Sequence, residues 1–274
     1  MKRTFVAVLA LATFFFAAGC TLNTPYESMS SAPLSVQTPV SQTLLEPYYH
    51  VLAPARANVY HTVGPMETLW RISKIYGVDQ QLIMQANHLR DPSKLAVGQK
   101  LLIPNAASPR SVVPLYNTRP WEYIVIHHTA TDNGNAITIN QIHHARGFDH
   151  GLGYHFLIDN GTSDKNVGQI EVGPRWVKQM DGAHCNAAGM NEHGIGIALV
   201  GNYSENYVPE EMLESLATLV NILRYHYNIP IDHILRHDDV PGKNTECPGT
   251  HFPWQEFLTR LRNLPPPVFS AKQS

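Results

Sequence analysis

Hydrophobic and polar residues repeat with two different periods along the chain, and the pattern first marks out a small module at 58–104. Thr68 and Asp79 stand where helix N-caps are expected, and Gly77 stands where the first helix should end. The predicted elements are a strand at 58–63, helices at 69–76 and 80–86, and a closing strand within 97–104. The pattern therefore predicts a strand–helix–helix–strand module.

A larger domain follows at 119–264, where four short apolar segments alternate with helical patterns. The predicted strands are 123–126, 154–158, 195–200 and 234–236, and the predicted helices are 137–146, 209–227 and 254–261. In the longest helix, Leu213, Leu216, Val220 and Leu223 form one apolar stripe. Alternating strands and helices indicate an α/β fold around one sheet.

The remaining segments lack such periodicity and are rich in polar residues. We predict a linker rich in Ser, Thr and Pro at 20–57, a second linker at 105–118 and a tail at 265–274. Composition agrees with this organisation, because 274 residues fit about two domains and a hydrophobic content of 43% is enough to build cores.

The N-terminal segment 1–19 has the pattern of a secretory signal. Two basic residues precede a short apolar run that ends in small residues, and Cys20 follows. The end resembles a bacterial lipobox, which implies lipidation of Cys20 and a membrane anchor. Because Thr21 rather than Asp comes next, the resemblance implies the outer membrane, facing the periplasm. The alternative is an ordinary cleaved signal followed by an incidental cysteine.

Charge and cysteine content exclude some classes of protein. The net charge is −2, so the chain lacks the basic excess of a protein that binds nucleic acid by neutralising phosphates. Three cysteines are too few for a disulfide scaffold, whereas 15 histidines suggest metal chemistry.

Two predicted strands end in histidine, at His127 and His237, and Cys247 lies ten positions after the second. Polar groups at strand ends are where α/β folds place their chemistry. Two imidazoles and one thiolate form a recognised zinc set that leaves a fourth position open. From spacing alone two alternatives stay open: strand-end histidines in structural hydrogen bonds, and metal triplets that use other histidines. Those other histidines include His128, His143, His144 and His184.

The small module resembles a LysM domain, which binds glycans containing N-acetylglucosamine. The matching residues are Tyr60, Val63, Thr68, Leu69, Ile72, Gly77, Val78, Leu82, Asn87, Leu89, Leu95, Gly98, Gln99, Leu101, Ile103 and Pro104. The chain departs from the family at Met66-Glu67, where Gly-Asp is usual in the first glycan-facing loop. The alternative is a small helical hairpin that has no ligand.

The larger domain resembles the zinc amidases related to phage lysozyme and the peptidoglycan recognition proteins. The matching stretches, in family order, are 124–131, 142–143, 147–148, 153–156, 182–184, Asn191, 194–202, 236–240 and 247–249. The resemblance implies a central mixed β-sheet flanked by helices. It also implies an N-acetylmuramoyl-L-alanine amidase, which cleaves the amide between the lactyl group of muramic acid and L-alanine by zinc-activated water.

Carried over by position, the resemblance makes His127, His237 and Cys247 the Zn²⁺ ligands and excludes His128. It also implies that Tyr154 and Thr245 donate to the developing oxyanion.

Other positions carry open assignments. Some relatives place a glutamate base where this chain has Ala198, so the proton route is open between Tyr154, the activated water and an unrecognised group. His184 and Asn191 either line the groove for the stem peptide or hold loops. Cys185 is either a free buried thiol or a disulfide partner of Cys247.

The resulting hypothesis is a lipid-anchored zinc amidase of the cell envelope whose LysM module holds peptidoglycan. The main alternative is a lipoprotein that binds peptidoglycan without cutting it. A zinc endopeptidase is a further alternative, although the chain has no His-Glu-x-x-His sequence. A serine hydrolase is disfavoured, because no Gly-x-Ser-x-Gly elbow is present.

Overall fold

The computed structural model describes the backbone of residues 41–45 and the whole of residues 56–269. The predicted signal at 1–19, Cys20 and most of the linker at 20–57 lie outside the described residues. None of the helices that the structure describes is long and apolar enough to cross a membrane.

Strands and helices are interspersed along the described residues. The strands are β1 (Ser41–Leu45), β2 (Ala57–Thr62), β3 (Lys100–Ala106), β4 (Ser111–Leu115), β5 (Tyr123–His128), β6 (Phe156–Asn160), β7 (Val167–Val172), β8 (Gly194–Leu199) and β9 (Ile234–Arg236). The helices are α1 (Leu69–Tyr76), α2 (Gln80–Ala86), α3 (Ala136–Ala145), α4 (Pro174–Val177), α5 (Met190–His193), α6 (Glu210–Tyr227) and α7 (Trp254–Asn263). Two 3₁₀ turns cover Ile231–His233 and His237–Asp239.

The small module has the predicted order, with β2 antiparallel to β3 and the two helices between them. The side chain of Thr68 accepts a hydrogen bond from the Arg71 backbone N–H, and that of Asp79 accepts one from Gln81. Gly77 ends α1 in the left-handed conformation, at φ 59°. Leu69, Ile72, Ile83, Leu101 and Ile103 form its buried core. Local capping signals therefore placed these helices correctly.

The larger domain is built on a five-stranded sheet in the order β7-β6-β8-β5-β9. The β6, β8, β5 and β9 strands run parallel, and β7 is antiparallel to β6, which confirms the predicted mixed sheet. All of β8 is buried, and so is β5 after its first residue, because helices and loops cover both faces. Helix α6 packs its apolar stripe on one face through Leu213, Leu216 and Val220.

The β7 strand is absent from the prediction. Its sequence, Val-Gly-Gln-Ile-Glu-Val, is interrupted by Gly168 and two polar side chains, so it lacks a continuous apolar run. Gly168 lies at φ 73°, and a Cβ there would stand 2.6 Å from the carbonyl oxygen of Glu211 in α6. This edge strand is recognised only once it pairs with β6 and meets the helix.

The predicted linkers also contain strands. Residues 41–45, within the predicted linker at 20–57, form β1. This strand pairs antiparallel with β4, which lies within the predicted linker at 105–118. Val112 belongs to the core of the small module, whereas Val113 and Leu115 belong to the core of the larger domain. Neighbouring residues of a strand point to opposite faces, so β4 fills two cores at once. The segment predicted as a linker at 105–118 therefore contains a strand whose side chains belong to both cores.

Candidate active site and metal centre

The two strand-end histidines lie side by side because their strands are parallel neighbours. Ile126 of β5 is in register with Arg236 of β9, so His127 and His237 follow at the same edge of the sheet. Their ring centroids are 4.4 Å apart. His127 is 1% exposed, and His237 is half-buried.

A tight loop brings Cys247 to the same edge. The backbone N–H of Asp238 donates to the Cys247 carbonyl at 2.9 Å, and the backbone N–H of His128 donates to the Cys247 sulfur at 3.3 Å. Two residues later, a Cβ at Gly249 would stand 2.2 Å from the carbonyl carbon of Tyr203. Only glycine allows this close approach, which explains the glycine at position 249.

His127, His237 and Cys247 each offer one ligand atom, and these atoms all lie within 4.8 Å of one another. The Cys247 sulfur is 3.6 Å from Nδ1 of His127. Nε2 of His237 is buried and has no hydrogen-bond partner among the described residues. A buried nitrogen without a partner, beside a second imidazole and a thiol, fits the ligand set of a four-coordinate ion. No other such group occurs in the described part of the chain.

Burial keeps the imidazoles neutral, as metal ligands must be. It lowers the pKa of His127 well below the ordinary value, and the neighbouring His184 and His237 lower it further. Burial, and then Lys243, lowers the pKa of His237 to about 4. Burial raises the pKa of the Cys247 thiol to about 12. A thiolate at this position therefore needs a cation beside it.

His184 orients the first ligand through a chain of hydrogen bonds. Its Nε2 lies 3.1 Å from the Gly194 carbonyl, which accepts only, so this nitrogen carries the ring hydrogen. Burial lowers the pKa of His184 well below its ordinary value, so the ring is neutral and Nδ1 is an acceptor. That Nδ1 lies 3.1 Å from Nε2 of His127, which therefore donates. His127 consequently presents the lone pair of Nδ1 to the cysteine side.

Two glycines make the slot for this imidazole. A Cβ on either Gly182 or Gly196 would stand 2.3 Å from Cδ2 of His184. Asn191 fixes the loop, because its side-chain oxygen accepts from the backbone N–H of His184 at 2.9 Å and of Cys185 at 2.8 Å. Both His184 and Asn191 therefore make hydrogen bonds that fix the loop before β8. Asn191 also lines an open cavity of about 440 Å³.

The structure places the other predicted residues around the metal centre. Nδ1 of His128 lies 3.1 Å from the backbone N–H of Tyr203, so its ring is engaged away from the ligand set. The Tyr154 ring centroid is 5.3 Å from that of His127, and its hydroxyl donates to the His128 carbonyl at 3.5 Å. Burial, and then the neighbouring Cys247, raises the pKa of Tyr154, so the hydroxyl keeps its proton.

Two positions bear on the proton route. Thr245 Oγ1 accepts from the Cys247 backbone N–H at 3.2 Å, so its hydroxyl hydrogen is available as a donor. Ala198 is the register partner of His127 on β8 and is fully buried, so this position provides no carboxylate.

Two further residues lie near the site. Cys185 is 1% exposed, is not bonded to Cys247, and packs in a cluster with Val125, Met190 and Val240. Lys243 adds to the effect of burial in lowering the pKa of His127 and His237, and its ammonium donates to the Asn186 side-chain oxygen at 3.0 Å. In the sequence, Lys243 stands four residues before Cys247.

Comparison with known proteins agrees with this geometry. A family model described as N-acetylmuramoyl-L-alanine amidase matches residues 117–250, and a LysM domain model matches residues 61–104. One peptidoglycan-recognition protein of Drosophila melanogaster is 30% identical over 165 residues, which cover 57% of this chain and 78% of that protein. A second one from the same species, peptidoglycan-recognition protein SC1a, is 32% identical over 144 residues, or 49% of this chain and 71% of that protein.

Among solved structures, an endolysin N-acetylmuramoyl-L-alanine amidase, LysCS from Clostridium intestinale, is 37% identical. The match covers 53% of this chain and 85% of that one, with a TM-score of 0.45. Both domain resemblances read from the motifs are confirmed by the family models. The chain is therefore a member of the N-acetylmuramoyl-L-alanine amidase family that includes the peptidoglycan-recognition proteins, and it carries a LysM domain before its amidase domain.

Proposed function

We propose that this protein is a zinc-dependent N-acetylmuramoyl-L-alanine amidase that hydrolyses the amide between the lactyl group of N-acetylmuramic acid and L-alanine. The convergence of His127, His237 and Cys247 within 4.8 Å at one sheet edge carries the proposal. Zinc held by such a set supplies Lewis-acid activation of water and of the scissile carbonyl.

The chain's own residues supply orientation and hydrogen-bond donors. His184 sets the tautomer of His127, and a hydrogen bond from the Asp238 backbone N–H to the Cys247 carbonyl holds Cys247 in the loop after β9. Tyr154 keeps its hydroxyl proton and lies beside His127, so it is our candidate donor to the developing oxyanion, with Thr245 as a second donor. Because Ala198 is apolar, this position of β8 provides no carboxylate to take up the proton.

Peptidoglycan is the substrate and partner that the two domains share. The LysM domain is the glycan-binding part, and the amidase domain is the part that binds the muramyl peptide. The net charge of −2 agrees with a substrate that is not a polyanion.

The decisive experiment is digestion of intact sacculi and purified muropeptides by the zinc-loaded protein, with mass analysis of the products. We expect free stem peptides that begin with L-alanine and glycans that keep the lactyl acid. A Cys247→Ser variant is the matched control and should release none. Products cut within the peptide crosslinks would identify an endopeptidase instead.

Recognition without cleavage is the second candidate. It is favoured by the alanine at position 198, which removes one recognised base, and by relatives named as recognition proteins. Stoichiometric muropeptide binding by the zinc-loaded protein without release of stem peptide would establish this candidate and exclude the enzyme.

We also propose that Cys20 is lipidated after removal of 1–19 and anchors the protein in the outer membrane, facing the periplasm. Mass analysis of the mature N-terminus tests the modification. A free N-terminus at Cys20 or at another residue would contradict it.

A further inference from the structure

We propose that the LysM module and the amidase domain form one rigid body. Gly64, Pro65, Glu67 and Arg71 of the module form the surface that docks on β7, and this surface does not contact glycan. The proposal concerns the relation between the two domains and does not depend on catalysis. It rests on a shared strand, a locked loop and a buried group of charges between the domains.

The shared strand is β4, which lies between the two cores. Val112 is 2% exposed in the core of the module, while Val113 and Leu115 are fully buried in the core of the amidase domain. The amidase side is also anchored by Trp176, whose indole N–H donates to the Pro114 carbonyl at 2.7 Å. Rotating one domain against the other would pull one set of side chains out of its core.

The first loop of the module is locked from within. Glu67 Oε2 accepts from the Gly64 backbone N–H and lies 2.8 Å from Nε2 of His61. The other ring nitrogen of His61 lies 3.0 Å from the Tyr76 hydroxyl. Burial opposes ionisation of Glu67, but the hydrogen bond and charge of His61 outweigh it and hold its pKa at about 2. The departure from the family at Met66-Glu67 thus places a carboxylate in a structural role.

Charged groups from both domains meet at this face. Arg71 is 8% exposed, donates through Nε to the Val112 carbonyl at 3.2 Å and faces Glu67 and Glu171. Across the interface, Glu171 of β7 accepts from Nζ of Lys165 at 2.8 Å and from the Ala136 backbone N–H at 2.5 Å. A Cβ on Gly64 would lie 3.6 Å from Glu171 Oε2.

Groups of opposite charge lie together at this interface. Glu67 and Glu171 face Arg71 and Lys165, and burial, followed by Glu171, raises the pKa of the nearby Asp159 so that it stays neutral. The remaining space between the two faces is about 10 Å³, which is the room of about one water molecule. Opening the interface would separate Arg71 from Glu171 and pull β4 side chains out of one of the two cores, so the docked arrangement is favoured.

Zero-length carbodiimide crosslinking of the full chain tests the docking, because the chain has a matched pair of exposed ion pairs. Lys100 of the module and Asp164 of the amidase domain are 3.8 Å apart, and both are exposed. Lys94 and Asp91, both within the module, are also 3.8 Å apart and exposed, and they serve as the internal control.

We expect the Lys100–Asp164 crosslink in a yield within about threefold of the Lys94–Asp91 crosslink. Formation of the control crosslink with less than a tenth as much interdomain crosslink would overturn the proposal. The Arg71→Met variant should lower the interdomain crosslink at least threefold and leave the control unchanged. If that variant does not fold, ¹⁵N relaxation of the unmodified chain decides: a shorter rotational correlation time for 57–106 than for 123–263 refutes rigid docking.

Titration with N-acetylglucosamine oligomers tests the second half of the proposal. We expect no amide shifts at Gly64, Glu67 and Arg71, because these residues face the amidase domain. Largest shifts at Gly64 and Glu67 would contradict it. None of these measurements requires turnover, so an inactive amidase domain would leave the result interpretable.

Discussion

Replacing His184 by alanine should weaken metal binding without removing any ligand. His127 is 1% exposed, and its Nε2 donates to His184 at 3.1 Å, so the substitution leaves a buried donor without its partner. That loss costs about 1–3 kcal/mol, which corresponds to roughly 5- to 150-fold in affinity. Removal of residues that orient metal ligands in general costs about 10- to 100-fold. We therefore expect the Kd for zinc to rise by about 10- to 100-fold.

The assay is competition for zinc against a chromophoric chelator at fixed pH, supported by the absorption spectrum of the cobalt-loaded protein. His184→Asn should recover part of the affinity, because its side-chain oxygen is an acceptor. His150→Ala removes an exposed histidine and should have no effect. Far-UV circular dichroism and thermal unfolding check that the void between Gly182 and Gly196 has not unfolded the domain. A zinc Kd for His184→Ala within twofold of the unchanged protein would refute the orienting role.

Four other outcomes follow from the site and the core. Cys247→Ser should lose stoichiometric zinc and activity, and retention of metal would contradict its role as a ligand. Tyr154→Phe should keep zinc but lower kcat by about 100-fold or more, and an unchanged kcat would remove it from the reaction. The pKa of the Cys247 thiol is about 12 and that of His237 about 4, so zinc binding between pH 6 and 8 should release one proton, from Cys247. The logarithm of the zinc affinity should then rise by about one unit per pH unit. A slope of this plot near zero or near two would contradict the prediction. Burial raises the pKa of Asp159 in the folded state. Above the ordinary aspartate pKa the unfolded state loses this proton, whereas the folded state keeps it. The free energy of unfolding therefore falls as the pH rises above the ordinary aspartate pKa. Asp159→Asn should therefore stabilise the protein against urea at pH 7 more than near pH 3.5, and equal effects at the two pH values would refute the assignment.

Residue patterns close together in the chain were predictable. Thr68, Asp79 and Gly77 marked the helix ends of the module because capping is a local interaction. The strand-end histidines were recognised for a similar reason, since an apolar run and the polar residue after it are neighbours in sequence. Family motifs then selected His127, His237 and Cys247 from the many histidines, which spacing alone left undecided.

By itself, the sequence determined the mixed α/β class, the LysM module and the identity of the three candidate ligands. Only the tertiary structure decided that β4 fills two cores, that β7 completes the sheet, and that the ring of His184 lies within hydrogen-bond distance of His127. The physical reason is distance along the chain. His184 lies 57 residues from His127, and which partner a buried polar group finds depends on packing that no local pattern records.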